Sequence, residues 1–256
     1  MMFSDLYITE IRMDKKIPAS SFLAKLPVIK NLGRSEGIKF NSPVTFFVGE
    51  NGTGKSTLIE GIAVALGFNP EGGSKNFNFF TNNSHSELSD YLTICKGVKF
   101  AKDGFFLRAE SYYNFASNID ELDKQDLRLE ISETRKIIDS YGGLSLHKQS
   151  HGESFMSMVR NRLGGKGLYI FDEPEAALSP SRVLELMCHI DRLVKEDSQF
   201  IIATHSPMLM AFPGADIIEL SESGIRNVDY KETEHYIITR SFLNAPEKFF
   251  GEMFDV

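Results

Sequence analysis

The chain has 256 residues, of which 42% are hydrophobic and 25% charged, with a formal net charge of −7. This composition is typical of a globular protein, and the length suits one large domain with a complete core. No apolar run approaches the roughly 20 residues that cross a bilayer, so we expect no membrane segment. The negative net charge argues against a protein whose whole surface binds nucleic acid, although a local basic face is still possible.

The two cysteines and the first residues bear on the compartment. Cys95 and Cys188 lie far apart without a CxxC partner, which is typical of ordinary thiols in a reducing compartment. The chain begins with acidic residues where a signal peptide carries positive charge. We therefore expect a cytoplasmic protein with neither a disulfide framework nor a cysteine metal site.

The N-terminal part predicts two strands and a helix around an irregular segment. Residues 6–12 alternate apolar and polar side chains, as a half-buried strand does. Residues 14–37 are rich in Lys, Pro, Ser and Gly and predict an irregular, partly exposed excursion. Val44–Val48 is a short apolar run suited to a buried parallel strand, and residues 55–66 have helical spacing.

The middle of the chain differs in character and predicts a subdomain. Residues 105–107 and 112–113 favour a strand or two of an antiparallel subdomain. Residues 120–138 carry one apolar stripe among many charges and predict an amphipathic helix that two glycines end. We expect residues 70–148 to be a β and helical insertion.

Alternating strands and helices return in the C-terminal part. Residues 168–171, 199–204 and 216–220 are predicted strands, and residues 181–195 are a predicted helix. Such alternation implies a mostly parallel sheet covered by helices on both faces. The tail predicts a hairpin near residues 222–224 and a short helix.

A glycine-rich loop follows the predicted strand Val44–Val48. The sequence from Gly49 to Thr57 is GENGTGKST, which fits GxxxxGK[ST]. Glycines let several N–H groups point at phosphate oxygens, and the following helix adds its positive end. Lys55 is expected to reach the β- and γ-phosphates, and the Ser56 hydroxyl to bind Mg²⁺. The residues predicted to contact the nucleotide here are Gly49, Asn51, Gly52, Thr53, Gly54, Lys55, Ser56 and Thr57.

Two acids follow the predicted strand at residues 168–171. In a phosphate-loop fold such a strand ends beside the loop, so we expect Asp172 to complete the metal shell with Ser56. Glu173 is then placed to act as the general base for an attacking water. The alternative is a solvated pair of acids that opens a turn before Pro174.

Three further motifs resemble ABC-type ATPases. Residues 172–180 read DEPEAALSP and resemble the Walker B and D-loop run of stand-alone bacterial predicted AAA-family ATPases, related to the SMC-like branch but without a coiled-coil arm. Residues 150–153 (SHGE) occupy the place of the LSGGQ signature, and residues 203–207 (ATHSP) resemble the switch-histidine strand end. The resemblance implies an α/β P-loop fold over one domain, 1–256, with ATP and Mg²⁺ as cofactors.

The resemblance also implies roles for single residues. Ser150 and Gly152 would bind the γ-phosphate held by the other subunit, so that ATP drives formation of a homodimer. His205 would contact the γ-phosphate as a catalytic residue with Lys55 and Glu173, and Ser179 would lie at the subunit interface. His205 could instead be an ordinary core histidine, and SHGE an ordinary helix cap in which Ser150 and Glu153 form a capping box.

The chain departs from the family pattern in other places. ABC ATPases have a Q-loop glutamine, and neither Gln125, Gln149 nor Gln199 fits that place. No adenine-stacking aromatic residue stands out, so Arg12 and residues 14–37 are the expected neighbours of the base. Arg108 and Glu110 could share one face of a strand, either as a structural ion pair or as lining of the nucleotide or partner surface.

The function that the resemblance implies is hydrolysis of ATP to ADP and phosphate, coupled to a dimerisation switch in DNA maintenance, repair or defence. DNA or a partner protein would then be bound as well. Two alternatives stay open: the nucleotide-binding subunit of a membrane transporter, and a nucleotide sensor without catalysis.

Overall fold

The computed structural model describes residues 5–74, 87–109, 139, 143 and 150–254. The strands are β1 (Ile8–Met13), β2 (Ile38–Lys39), β3 (Val44–Val48), β4 (Leu92–Lys96), β5 (Asp103–Arg108), β6 (Gly167–Asp172), β7 (Gln199–Ala203), β8 (Asp216–Leu220) and β9 (Ile225–Asn227). The α-helices are α1 (Pro27–Leu32), α2 (Lys55–Ala65), α3 (His151–Arg162), α4 (Pro180–Lys195), α5 (Pro207–Met210), α6 (Glu234–Asn244) and α7 (Pro246–Met253). Short 3₁₀ helices cover Phe22–Lys25, Glu87–Tyr91, Pro174–Ala177 and Tyr230–Glu232.

The main sheet has six strands in the order β5-β6-β7-β3-β8-β9. Every pairing is parallel except that of β8 with β9. In a parallel sheet the carboxyl ends of neighbouring strands lie at one edge, which is where α/β proteins bind ligands. The segments that follow β6, β7 and β3 therefore meet at one edge.

The core lies on both faces of this sheet, as the alternating side chains of β3 illustrate. Phe46 is fully buried on the face covered by α3, α4 and α5, and Phe47 is fully buried on the face covered by α1, α2 and β1. Full burial on both faces explains why β3 and β7 read as continuous apolar runs rather than alternating ones. The sheet thus holds this edge in a packed frame.

A second, antiparallel sheet has the order β2-β1-β4. The buried amide of Gln199 joins it to β7 of the main sheet. Its Oε1 accepts hydrogen bonds from the N–H groups of Tyr7 and Ile8, both at 2.9 Å, and its Nε2 donates to the Ile8 carbonyl at 2.9 Å. One side chain therefore satisfies three backbone groups at the junction of the two sheets.

Most predicted elements lie where the sequence placed them, and the α/β fold with a largely parallel sheet is confirmed. Residues 105–107 form a strand of the main sheet, where β5 pairs in parallel with β6, and Phe106 also makes one antiparallel bridge with Gly73. Residues 104–107 are all buried, which suits a strand of the covered main sheet.

Two other expectations have different outcomes. Residues 14–37 are more regular than predicted, since they include α1 and a 3₁₀ helix; Val28, Ile29 and Leu32 are buried. The predicted elements at residues 112–113 and 120–138 lie outside the described residues, as does Glu110. Within the described ranges no helix has the length and apolar character needed to cross a membrane.

Candidate nucleotide and magnesium site

The glycine-rich loop connects the buried strand β3 to α2, and three glycines allow its path. Gly49, Gly52 and Gly54 have φ values of 143°, 81° and 99°, which L side chains rarely adopt. A Cβ at Gly49 would collide with the carbonyl oxygen of Leu220, so the loop passes directly against the end of β8. Such a curled backbone followed by a helix start is the geometry that binds a phosphate.

Lys55 is the first residue of α2 and is only 4% exposed. Its ammonium group donates to the carbonyls of Gly49 at 2.8 Å and Glu50 at 2.7 Å, so the side chain curls over the loop. Burial lowers the pKa of Lys55, and the carboxylates of Glu173 and Asp172 oppose this shift. The charge of Lys55 thus faces the acids that follow β6.

Ser56 and Asp172 come together across the edge of the sheet. The Ser56 hydroxyl donates to Asp172 Oδ1 at 3.2 Å, and Asp172 is 4% exposed. A hydroxyl and one carboxylate are a donor set that Mg²⁺ accepts when phosphate oxygens and water supply its other ligands. The pair therefore fits a magnesium ion that arrives with a nucleotide.

Arg108 ends β5 beside this pair. Its Nη1 contacts Glu60 Oε2 of α2 at 2.8 Å, and its Nε lies 3.7 Å from Asp172 Oδ2. The carboxylate of Glu60 is 9% exposed, so the ion pair is largely shielded from water. Arg108 thereby links α2, β5 and the end of β6.

Glu173 has a strained backbone. Its φ of 51° and ψ of 52° lie in the left-handed region, which costs a residue other than glycine on the order of 1–3 kcal/mol. The Glu173 N–H donates to the Ala203 carbonyl at 3.0 Å, which ties this turn to the end of β7. Strained residues of this kind cluster at functional sites.

His205 follows β7 and faces Glu173. Its Nε2 lies 3.6 Å from Glu173 Oε1, and its Nδ1 lies 3.1 Å from Nε2 of His235 on α6. The Glu175 carboxylate holds the backbone here, because Oε1 accepts from the His205 N–H at 2.6 Å and from the Ser206 N–H at 3.1 Å. Glu175 thus fixes the turn that presents the His205 ring.

Comparison with known protein families identifies the family of the chain. A family model described as an AAA domain matches residues 28–180, which is more than half of the chain. The chain belongs to the AAA-domain family of ABC- and SMC-type ATPases. A second AAA-domain model, whose description also names AbiEii and a type IV toxin–antitoxin system, matches residues 154–211.

Solved structures resemble the ATPase in fold. CbiO1 from Clostridium perfringens, part of the ABC transporter complex CbiONQ, is 17% identical, with a TM-score of 0.51 over 98% of this chain and 100% of that chain. The SMC head domain from Thermotoga maritima is 16% identical, with a TM-score of 0.45 over 88% of this chain and 100% of that chain. No curated protein matches the chain in sequence. The likeness to CbiO1 supports an ABC-type ATPase fold.

The segment predicted to be the signature, residues 150–153, lies at the start of α3. Ser150 is the N-cap: its Oγ accepts from the Glu153 N–H at 3.4 Å, and the Glu153 carboxylate accepts from the Ser150 N–H at 3.1 Å. These two bonds form a capping box. The Ser150 hydroxyl also donates to the Glu153 carboxylate at 2.8 Å, and this bond, with that from the Ser150 N–H, lowers the pKa of Glu153. Gly152 packs closely against the 3₁₀ helix Pro174–Ala177, since a Cβ there would lie 3.0 Å from the Ala177 carbonyl.

The residues expected near the base lie on two elements. Arg12 Nη2 donates to Cys95 Sγ at 3.2 Å, which ties this side chain to β4. A cleft of about 390 Å³ lies between the end of β1 and α1, lined in part by Met13, Ile29 and Arg34. Because the Val28 N–H donates to the Thr53 carbonyl at 3.0 Å, α1 packs directly on the phosphate loop. Contact with the base stays a prediction for this region.

Sequence reasoning brought together Lys55, Ser56, Asp172, Glu173 and His205, and these residues do share one edge of the sheet. It assigned no role to two further residues of this edge, Glu175 and His235. Glu175 stands inside the DEPE run, so its motif was visible although its backbone contacts were not. His235 belongs to no motif, and only the contact of its ring with that of His205 reveals it.

Proposed function

We propose that this ATPase binds Mg-ATP and hydrolyses it to ADP and phosphate. The observation that carries the proposal is the 3.2 Å contact between the Ser56 hydroxyl and the Asp172 carboxylate, beside Lys55, Glu173 and His205. A carboxylate and a hydroxyl at the end of a phosphate loop form the usual protein part of a Mg-ATP site. The family membership favours the same chemistry.

Each residue of the edge has a part in the proposed reaction. The loop N–H groups from Gly49 to Thr57 and the Lys55 ammonium hold the phosphates, and Ser56 and Asp172 hold the magnesium ion, which supplies charge neutralisation when bound. Glu173 accepts the proton of the attacking water. His205 donates a hydrogen bond from Nε2 to the γ-phosphate, where negative charge develops.

We further propose that ATP closes two copies of the ATPase into a dimer. The Ser150 side chain and Gly152 would complete the partner's γ-phosphate site, which suits the exposed position of Ser150 at a helix start. The Ser150 side chain hydrogen-bonds with Glu153, and within the described residues no hydrogen bond joins it to the phosphate loop. Hydrolysis would remove the bridging phosphate and release the dimer.

Light scattering tests the dimer proposal. Glu173→Gln binds Mg-ATP without hydrolysing it, so we expect a monomer without nucleotide and a dimer with Mg-ATP. Adding Ser150→Arg blocks the partner's phosphate and is expected to restore the monomer. Asn161→Arg adds the same charge at the far, exposed end of α3 and is expected to leave the dimer intact. A Glu173→Gln protein that stays monomeric in saturating Mg-ATP would contradict the switch.

The biological setting that we propose is DNA maintenance, repair or defence. The resemblance to SMC-like ATPases supports it, and so does the second family model, whose description names a toxin–antitoxin system. DNA or a partner protein would be the target of the switch. With a net charge of −7, any DNA contact must use a local basic surface.

A further inference from the structure

Two histidines from distant parts of the sequence pair at the nucleotide edge. His205 Nδ1 and His235 Nε2 are 3.1 Å apart, and the ring centroids are 5.3 Å apart with an interplanar angle of 53°. We propose that His235 is a positioning residue that sets the tautomer of His205, so that the Nε2 proton of His205 points at the γ-phosphate. This inference rests on the proposed ATP hydrolysis.

The chemistry of a neutral imidazole makes the pairing directional. A neutral ring carries one N–H, and the other nitrogen can only accept a hydrogen bond. His205 can donate from Nε2 only if its Nδ1 accepts, which requires His235 to donate from its own Nε2. His205 Nε2 is buried, makes no hydrogen bond within the described residues and lies 3.6 Å from Glu173 Oε1. The nitrogen that must donate thus faces the catalytic carboxylate.

The charges around the two rings keep the pair neutral. Burial lowers the pKa of His205 and of His235, and Lys55 lowers both further. His205 also lowers the pKa of His235, whereas Glu234 and Glu175 raise it to a smaller extent than burial lowers it. Glu173 raises the pKa of His205, again by less than burial lowers it. A neutral pair shares one hydrogen bond in one of two directions, and the direction decides which His205 nitrogen carries the proton.

The start of α6 holds His235 firmly in place. Thr233, the N-cap, is fully buried; its hydroxyl accepts from the Tyr236 N–H at 3.3 Å and donates to the Tyr230 carbonyl at 2.8 Å. The Tyr230 and Tyr236 rings lie 4.7 Å apart and clamp the same turn. A residue that is anchored next to a buried helix cap is suited to orienting another side chain, because its backbone is already ordered and little conformational entropy is lost when its ring makes the contact.

Kinetics of His235 variants separate positioning from packing. His235→Leu fills the space without a donor and is expected to lower kcat about tenfold, the scale of one neutral hydrogen bond, without a matching change in KM. His235→Gln keeps a donor and is expected to retain most of the wild-type kcat. His189→Leu makes the same change on α4, where the ring neighbours Glu185, and is expected to be inert.

A second background shows whether His235 acts through His205. In His205→Ala, the change His235→Leu is expected to lower kcat no further, because the ring it orients is gone. A wild-type kcat in His235→Leu, or a full additional loss in the His205→Ala background, would overturn the proposal. If His205→Ala itself retains the wild-type kcat, the catalytic role proposed for His205 is wrong, and the positioning role proposed for His235 is wrong with it.

Nitrogen NMR tests the same inference without turnover. Long-range ¹H–¹⁵N spectra of the nucleotide-free protein report which ring nitrogen carries the proton. We expect His205 to be protonated on Nε2 in the wild type and to become a mixture of tautomers in His235→Leu. A wild-type His205 protonated on Nδ1, or a tautomer unchanged in the variant, would overturn the proposal even if the protein hydrolysed ATP.

Discussion

At the scale of single residues, the phosphate-loop side was the most predictable part of the site. The motif from Gly49 to Thr57 is local, because adjacent residues build the loop and its glycines must have left-handed backbone angles. The relation between Ser56 and Asp172 was also predictable, since both positions follow from where strands end. Arg108 was not, because its partner Glu60 lies 48 residues away on α2 and shows no pattern in sequence.

Arg108 offers a test of stability at this scale. Arg108→Met leaves the buried Glu60 carboxylate without this partner and is expected to lower the free energy of unfolding by about 3 kcal/mol. The measurement is chemical denaturation followed by circular dichroism. Adding Glu60→Met removes the buried carboxylate as well, so the double variant is expected to regain part of the loss. A loss below about 1 kcal/mol, as for surface ion pairs, would contradict the shielded pair.

At the scale of elements, the periodicity of the sequence predicted where helices and strands occur better than it predicted how the strands pair. Residues 105–107 were recognised as a strand, yet the choice between an antiparallel subdomain and the main sheet depends on β6, which lies some sixty residues later. Similarly, Pro, Lys and Gly in residues 14–37 concealed α1, whose three buried residues become a helix face only when packed on the phosphate loop. Tertiary contacts decided both cases.

Helix α6 supports a prediction about pH. Burial, His205 and Lys55 lower the pKa of His235 in the folded protein, against the weaker opposing effects of Glu234 and Glu175. The unfolded chain therefore binds a proton on His235 first as the pH falls below about 6.5, so acidification removes stability from the wild type.

The His235→Leu variant has no titratable side chain at this position. The stability of the wild type relative to His235→Leu, measured by urea denaturation, is expected to decline steadily from about pH 7.5 to about pH 5.5. A stability difference that does not change over this range would show that the His235 ring titrates as it does in the unfolded chain, contrary to the buried pair.

At the scale of the whole molecule, the fold was predictable because the order and spacing of the motifs along the chain indicate it. Strand, loop, signature, acidic pair and histidine follow one another along the chain as the parallel sheet requires, and the family comparison agrees. The sequence could not predict that α6 packs at the candidate site, because its contact with His205 is made by His235, which belongs to no motif. Dimer formation belongs to this scale too and is a proposal about two copies rather than one.

The measurement that tests the central claim most directly is phosphate release from saturating Mg-ATP by the wild type and Glu173→Gln. Glu173 is proposed to accept the proton of the attacking water, so removing its charge is expected to slow release at least about a hundredfold while Mg-ATP binding is kept. Lys55→Met is the companion variant and is expected to lose binding as well, since its ammonium holds the phosphates. A Glu173→Gln protein that releases phosphate at the wild-type rate would contradict the catalytic assignment of this edge.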